Sequence, residues 1–101
     1  KDDEGRQVFP TGGTRVLAFP AAHYAVADGS ADHAFAYLNL RMASGRSEAV
    51  KKRIGDAITA AAKAHFAPLL ARRPVGITFQ IDEAPGQVYD AKIGNLHAFF
   101  G

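Results

Sequence analysis

Between residues 33 and 82 the apolar positions change period twice, and no other feature narrows the possible folds as far. Residues 33–42, HAFAYLNLRM, alternate, with Ala34, Ala36, Leu38, Leu40 and Met42 on one side and Phe35, Tyr37, Asn39 and Arg41 on the other. Strict alternation is the mark of a strand. After ASG, Ser47 is placed to cap a helix and Glu48 suits the positive end of its dipole. Val50, Ile54, Ala57, Ile58, Ala61, His65 and Leu69 then recur at helical spacing, while Lys51, Lys52, Asp56 and Lys63 fall mostly elsewhere. The spacing predicts an amphipathic helix of about six turns if it runs to Arg72. Pro68 removes one backbone hydrogen bond and crowds the carbonyl of Ala64, which predicts a kink or an early stop. Val75, Ile77, Phe79 and Ile81 alternate with Gly76, Thr78, Gln80 and Asp82, the clearest strand of the chain. A crossover helix between two strands makes them parallel neighbours joined in the right-handed sense.

The flanking segments are shorter and less periodic. Residues 1–8 read as a flexible lead-in, and 9–101 as a single domain. FPTGG, residues 9–13, is turn chemistry, and residues 14–19, TRVLAF, have the β-branched and aromatic character of a short strand ended by Pro20. Residues 21–32 form a connection whose Asp28-Gly29 pair suits a tight turn at the tip of a hairpin. NLHAFF, residues 95–100, is too apolar for a free tail and should dock on this chain or on a neighbour. Phe35 and Tyr37 on one side of a strand call for something large against them. Three strands and one long helix leave part of a sheet uncovered, which implies a missing element, a partner subunit, or both.

Composition closes off several functions. A chain of 101 residues has room for one modest core. Twelve basic and ten acidic residues give a formal charge of +2, with no basic block beyond Lys51-Lys52 and Arg72-Arg73, so nucleic acid is not the expected partner. There is no cysteine, hence no disulfide and no thiolate chemistry. His23, His33, His65 and His97 lack the close spacings that gather metal ligands, so neither a metal nor another cofactor is expected. No stretch approaches the roughly 20 apolar residues that cross a bilayer. The opening KDDEGRQ is polar, which makes a soluble cytoplasmic protein without a membrane partner the default.

Few residues can carry chemistry. No serine sits in a nucleophile elbow, and TGGTR precedes a strand, whereas a phosphate cradle follows one. Arg46, in SGRS just before the helix, could face an anion together with backbone N–H groups, or be a solvated surface arginine. Arg15 could grip a carboxylate in two parallel bonds, or make an ordinary ion pair. His65, on the apolar stripe, reads as a core histidine, and His97 as its counterpart in the docked tail.

Taken in order, FPTGGTR, VADGSADHAFAYLNLRMASGRS, KAHFAPLLARRPVGITFQIDE and NLHAFF resemble the 5-carboxymethyl-2-hydroxymuconate isomerase family of the tautomerase superfamily, over residues 9–100. The resemblance implies an α/β (α+β) fold of β-α-β units sharing one mixed sheet, and a homotrimer with active sites between subunits. It implies an isomerase that shifts a proton on an unsaturated 2-hydroxy (keto) di- or tricarboxylate in aromatic-compound catabolism. In such a family an amino-terminal proline is the base, because a secondary amine can be unprotonated near neutrality when cations and burial lower its pKa. Arginines neutralise the anionic substrate and stabilise the dienolate charge. Arg15 and Arg46 occupy the matching arginine positions. The family's first strand, first helix and terminal proline would precede Phe9, and this sequence shows none of them. Neither Lys1, a primary amine, nor the internal Pro10 matches the base. An alternative is therefore an oligomeric carboxylate-binding module of tautomerase fold without catalysis.

Overall fold

The chain from Lys1 to Gly101, a computed structural model, is described at every residue except Asp3, Gln87, Asp90 and Gly101. The parts of the expected lead-in and domain that fall on those four lie outside the described residues. Two compact units are present, Ala21–Pro85 and Lys1–Pro20 with Gly86–Gly101.

Ala21–Pro85 holds strand β1 at Ala34–Ala43, helix α1 at Glu48–Leu70 and strand β2 at Val75–Ala84. The two strands pair in parallel with no stagger, from Ala34 against Val75 to Ala43 against Ala84. That arrangement follows from the sequence. A 23-residue helix is long enough to carry the chain back along a ten-residue strand, since the rises are roughly 1.5 and 3.3 Å per residue. Along both strands the more covered residues alternate with exposed ones, as the period of two requires.

The side chains best removed from water are Met42, Val50 and Ile54, with Val50 only 2% exposed. They stand at the end of β1 and in the first two turns of α1, so the core is densest beside the connection 44–47. Gly55 sits on the same side of α1, and a Cβ placed there would meet Ile81 Cδ1 at 3.8 Å.

The opposite face of the sheet stays half open within the chain, Phe35 at 51% and Tyr37 at 54% exposure. Tyr24 meets Phe35 edge to face at 6.3 Å. The rest of that face carries polar pairs across the strands: the Tyr37 hydroxyl donates to Gln80 Oε1, and Asn39 Nδ2 donates to Asp82 Oδ2 at 2.7 Å.

Several expectations need correction. Helix α1 ends at Leu70 and not at Arg72. Pro68 falls in its last turn, so the helix stops soon after it, and the Arg72 and Arg73 amides bond the Leu69 carbonyl at 3.0 and 3.1 Å. His65 is exposed, not in the core. Beyond the buried Ile54 the half-covered positions 58, 62, 66 and 69 follow, so Phe66 takes the inward place and the His65 ring stands against it at 4.8 Å. At Asp28-Gly29 a turn forms, with the Gly29 amide on the Val26 carbonyl at 3.0 Å, but no hairpin, because among the described residues no strand precedes it to pair with β1.

In the unit Lys1–Pro20 with Gly86–Gly101, a 3-10 turn at Thr11–Gly13 packs against the five-residue helix α2 at Leu96–Phe100. Gly12 is why they meet. A Cβ there would lie 2.7 Å from His97 Cα and 2.8 Å from the Leu96 carbonyl carbon, closer than any side chain can stand. The tail thus docks as expected, although the His97 ring stays exposed. Residues 14–19 do not form the expected strand, and Val16, Leu17 and Phe19 are exposed. A strand is a pairing, and no described residue offers these six a ladder. Near the start, Asp2 Oδ1 accepts the amides of Glu4 and Arg6, each at 2.9 Å. The Arg6 amide foremost holds the Asp2 carboxyl below its usual value.

Candidate carboxylate-binding site

Arg46 stands in the four-residue connection from β1 to α1. Gly45 before it has φ +113°, a conformation that side chains rarely adopt, and this turns the chain toward the helix. Ser47 after it caps α1 as the sequence indicates, its Oγ accepting the Val50 amide at 3.2 Å. The Arg46 guanidinium is half-buried, and its Nη1 donates to the Ala43 carbonyl at 3.0 Å. An arginine held beside a helix N-terminus sets a cationic fork, with the helix dipole behind it, where a carboxylate could be received.

Lys51 lies one turn into α1, its Nζ 2.6 Å from Glu83 Oε1 on β2 and 3.2 Å from Glu48 Oε1. Glu83 foremost, then Glu48, hold the Lys51 ammonium above its usual value. No sequence pattern announces this pair. Lys51 looked like one more solvated helix charge, and only the parallel register brings Glu83 to it.

Arg15 belongs to the other unit, directly after the 3-10 turn, and is exposed. In that unit the FPTGG and NLHAFF segments, far apart in sequence, line one recess of about 540 Å³ through Pro10, Thr11, Gly12, His97 and Phe100. The tandem glycines were the sequence signal for that approach. A second recess, of about 380 Å³, lies in Ala21–Pro85 beside His23, Tyr24 and Asp32. There the Tyr24 hydroxyl donates to Asp32 Oδ1 at 2.7 Å, and this bond raises the Tyr24 pKa.

The parallel β-α-β crossover places the chain among α/β proteins of tautomerase-like fold. A family profile for 5-carboxymethyl-2-hydroxymuconate isomerase matches residues 3–100. A 5-carboxymethyl-2-hydroxymuconate Delta-isomerase of Escherichia coli is 30% identical over 93 residues, spanning 92% of this chain and 73% of that protein. A crystal structure of a 5-carboxymethyl-2-hydroxymuconate delta-isomerase superposes with a TM-score of 0.89 at 63% identity, over all of this chain and 72% of the other. A second, from Deinococcus radiodurans R1, gives 0.84 at 38% identity, over 93% and 70%. The chain belongs to the 5-carboxymethyl-2-hydroxymuconate isomerase family and is an enzyme of the isomerase class.

Proposed function

We propose that the chain acts on an unsaturated 2-hydroxy di- or tricarboxylate such as 5-carboxymethyl-2-hydroxymuconate, with Arg15 and Arg46 holding its carboxylates. The observation that carries this reading is Arg46, half-buried, tied to the end of β1 and next to a capped helix N-terminus. A dianion bound there is partly neutralised, and the same guanidinium stabilises the dienolate formed when the 2-hydroxyl group gives up its proton. The proton is taken from the 2-hydroxyl oxygen of the diene and returned to a carbon of the conjugated chain as the double bonds shift, so the substrate ends as its unsaturated keto isomer. The base for that step is the amino-terminal proline that the resemblance implies, and neither Lys1 nor Pro10 takes its part. No observation favours the alternative of a carboxylate-binding module without catalysis.

The half-open sheet face and the exposed apolar residues 16, 17 and 19 support a homotrimer with sites between subunits. Cytoplasmic location and a place in aromatic-compound breakdown complete the proposal. Among the described residues, no helix is long and apolar enough to cross a membrane. Ketonisation of 2-hydroxymuconate, followed in the ultraviolet on the protein with and without R15A or R46A, tests the reading. Turnover that either change abolishes supports it, and turnover indifferent to both contradicts it. Sedimentation at micromolar concentration should show a trimer, and a stable monomer would remove the intersubunit site.

A further inference from the structure

We propose that the Lys51–Glu83 ion pair is a positioning device for Arg46, clamping the start of α1 to β2 so that the guanidinium is presented to a substrate carboxylate. This rests on Arg46 being a carboxylate ligand.

The geometry of the connection 44–47 points to the need for such a clamp. Its centre is Gly45, at φ +113° and with no neighbouring atom within 4 Å of where a Cβ would stand, so the turn is open on that side. Arg46 Nη1 on the Ala43 carbonyl ties the turn to β1, and Ser47 Oγ on the Val50 amide ties it to α1. Both bonds join the connection to an element it already continues into. An interaction that sets the angle of α1 against the neighbouring strand has to cross from the helix to β2.

Lys51 does this. It follows the buried Val50 in the first turns of α1, and its ammonium reaches Glu83 at 2.6 Å. Glu83 stands opposite Met42 in the parallel register, one residue before the level at which β1 gives way to the turn. The two side chains are only 26% and 30% exposed, so water and salt screen the pair less than they do a surface pair. Lys51 also offsets Glu48 and Glu83 together. Without it, two carboxylates at the anion-binding end of the helix would repel a dianion.

A double-mutant cycle read by calorimetric titration with cis,cis-muconate, a stable unsaturated dicarboxylate, tests the proposal on the full chain. E83Q and K51M should each weaken binding about five- to tenfold, and K51R should restore it, as expected for groups coupled through one network. In an R46K background, E83Q should cost less than about twofold more, because the group it positions is already compromised. Circular dichroism of each variant keeps folding apart from binding. Affinity unchanged in R46K removes Arg46 as a ligand, and the proposal with it. Weakened binding in R46K with wild-type affinity in E83Q and K51M overturns the clamp alone, as does an E83Q loss of the same factor in both backgrounds.

Discussion

The unit Ala21–Pro85 holds its shape through a ten-pair parallel ladder, a 23-residue helix and an apolar seam at Met42, Val50 and Ile54. The unit Lys1–Pro20 with Gly86–Gly101 has no sheet among its described residues and rests on a 3-10 turn fitted against five residues of helix. The first spreads its stability over many side chains. The second rests on a small junction of turn and helix, tightest where backbone lies on backbone at Gly12. Each carries one of the two arginines assigned to the substrate, so each should fail in its own way when a single atom group is changed.

Four substitutions and a pH series would break or sharpen that contrast. Ile54→Ala empties part of the seam and should cost about 3 kcal/mol, read as a lower denaturant midpoint with loss of the helical signal at 222 nm. Gly12→Ala cannot be accommodated without moving α2, so a loss of about 2 kcal/mol is expected. That loss should appear as faster amide exchange at residues 96–100, with β1, α1 and β2 still protected. Loss of protection in both units together would show that the contact is shared more widely.

Ser47→Ala removes the cap of α1 and should cost about 1 kcal/mol in thermal unfolding. Gly55→Ala goes the other way. The added methyl meets only Ile81 Cδ1 at an ordinary 3.8 Å and replaces a poor helix former, for a gain of up to about 1 kcal/mol. A destabilised Gly55→Ala would mean that α1 lies closer to β2 than described.

The smallest effect is in pH. The Lys51 ammonium is favoured in the folded state, Glu83 first among the causes, so its contribution is complete below the unfolded value of 10.5 and is lost as pH rises through the higher folded value. The Tm difference between wild type and K51M should be flat from pH 7 to 9 and shrink above pH 10.5. A difference that grows with alkali would refute the pairing.

How much the sequence revealed depended on whether an element makes its own partners. Residues 33–82 were legible because the two alternating runs and the helical run supply one another's burial, and Ser47 announced the helix start through its own hydroxyl. Residues 14–19 have strand chemistry, yet a strand also needs a ladder, and composition cannot say whether one is on hand. The stripe on α1 was read through Ala61 and His65 where the helix turns Ala62 and Phe66 inward, a slip of one residue that periodicity over six turns does not resolve. Arg46 stood out by its place before the cap. Its support from Glu83 did not, since a contact across 32 residues depends on register.

The central claim is that two arginines on this chain grip a doubly negative substrate. It is tested most directly by calorimetric titration of cis,cis-muconate into wild type, R15A and R46A. Saturable binding weakened about tenfold or more by each substitution is the result expected for a lost charge-assisted pair. Equal affinity in all three proteins would contradict it.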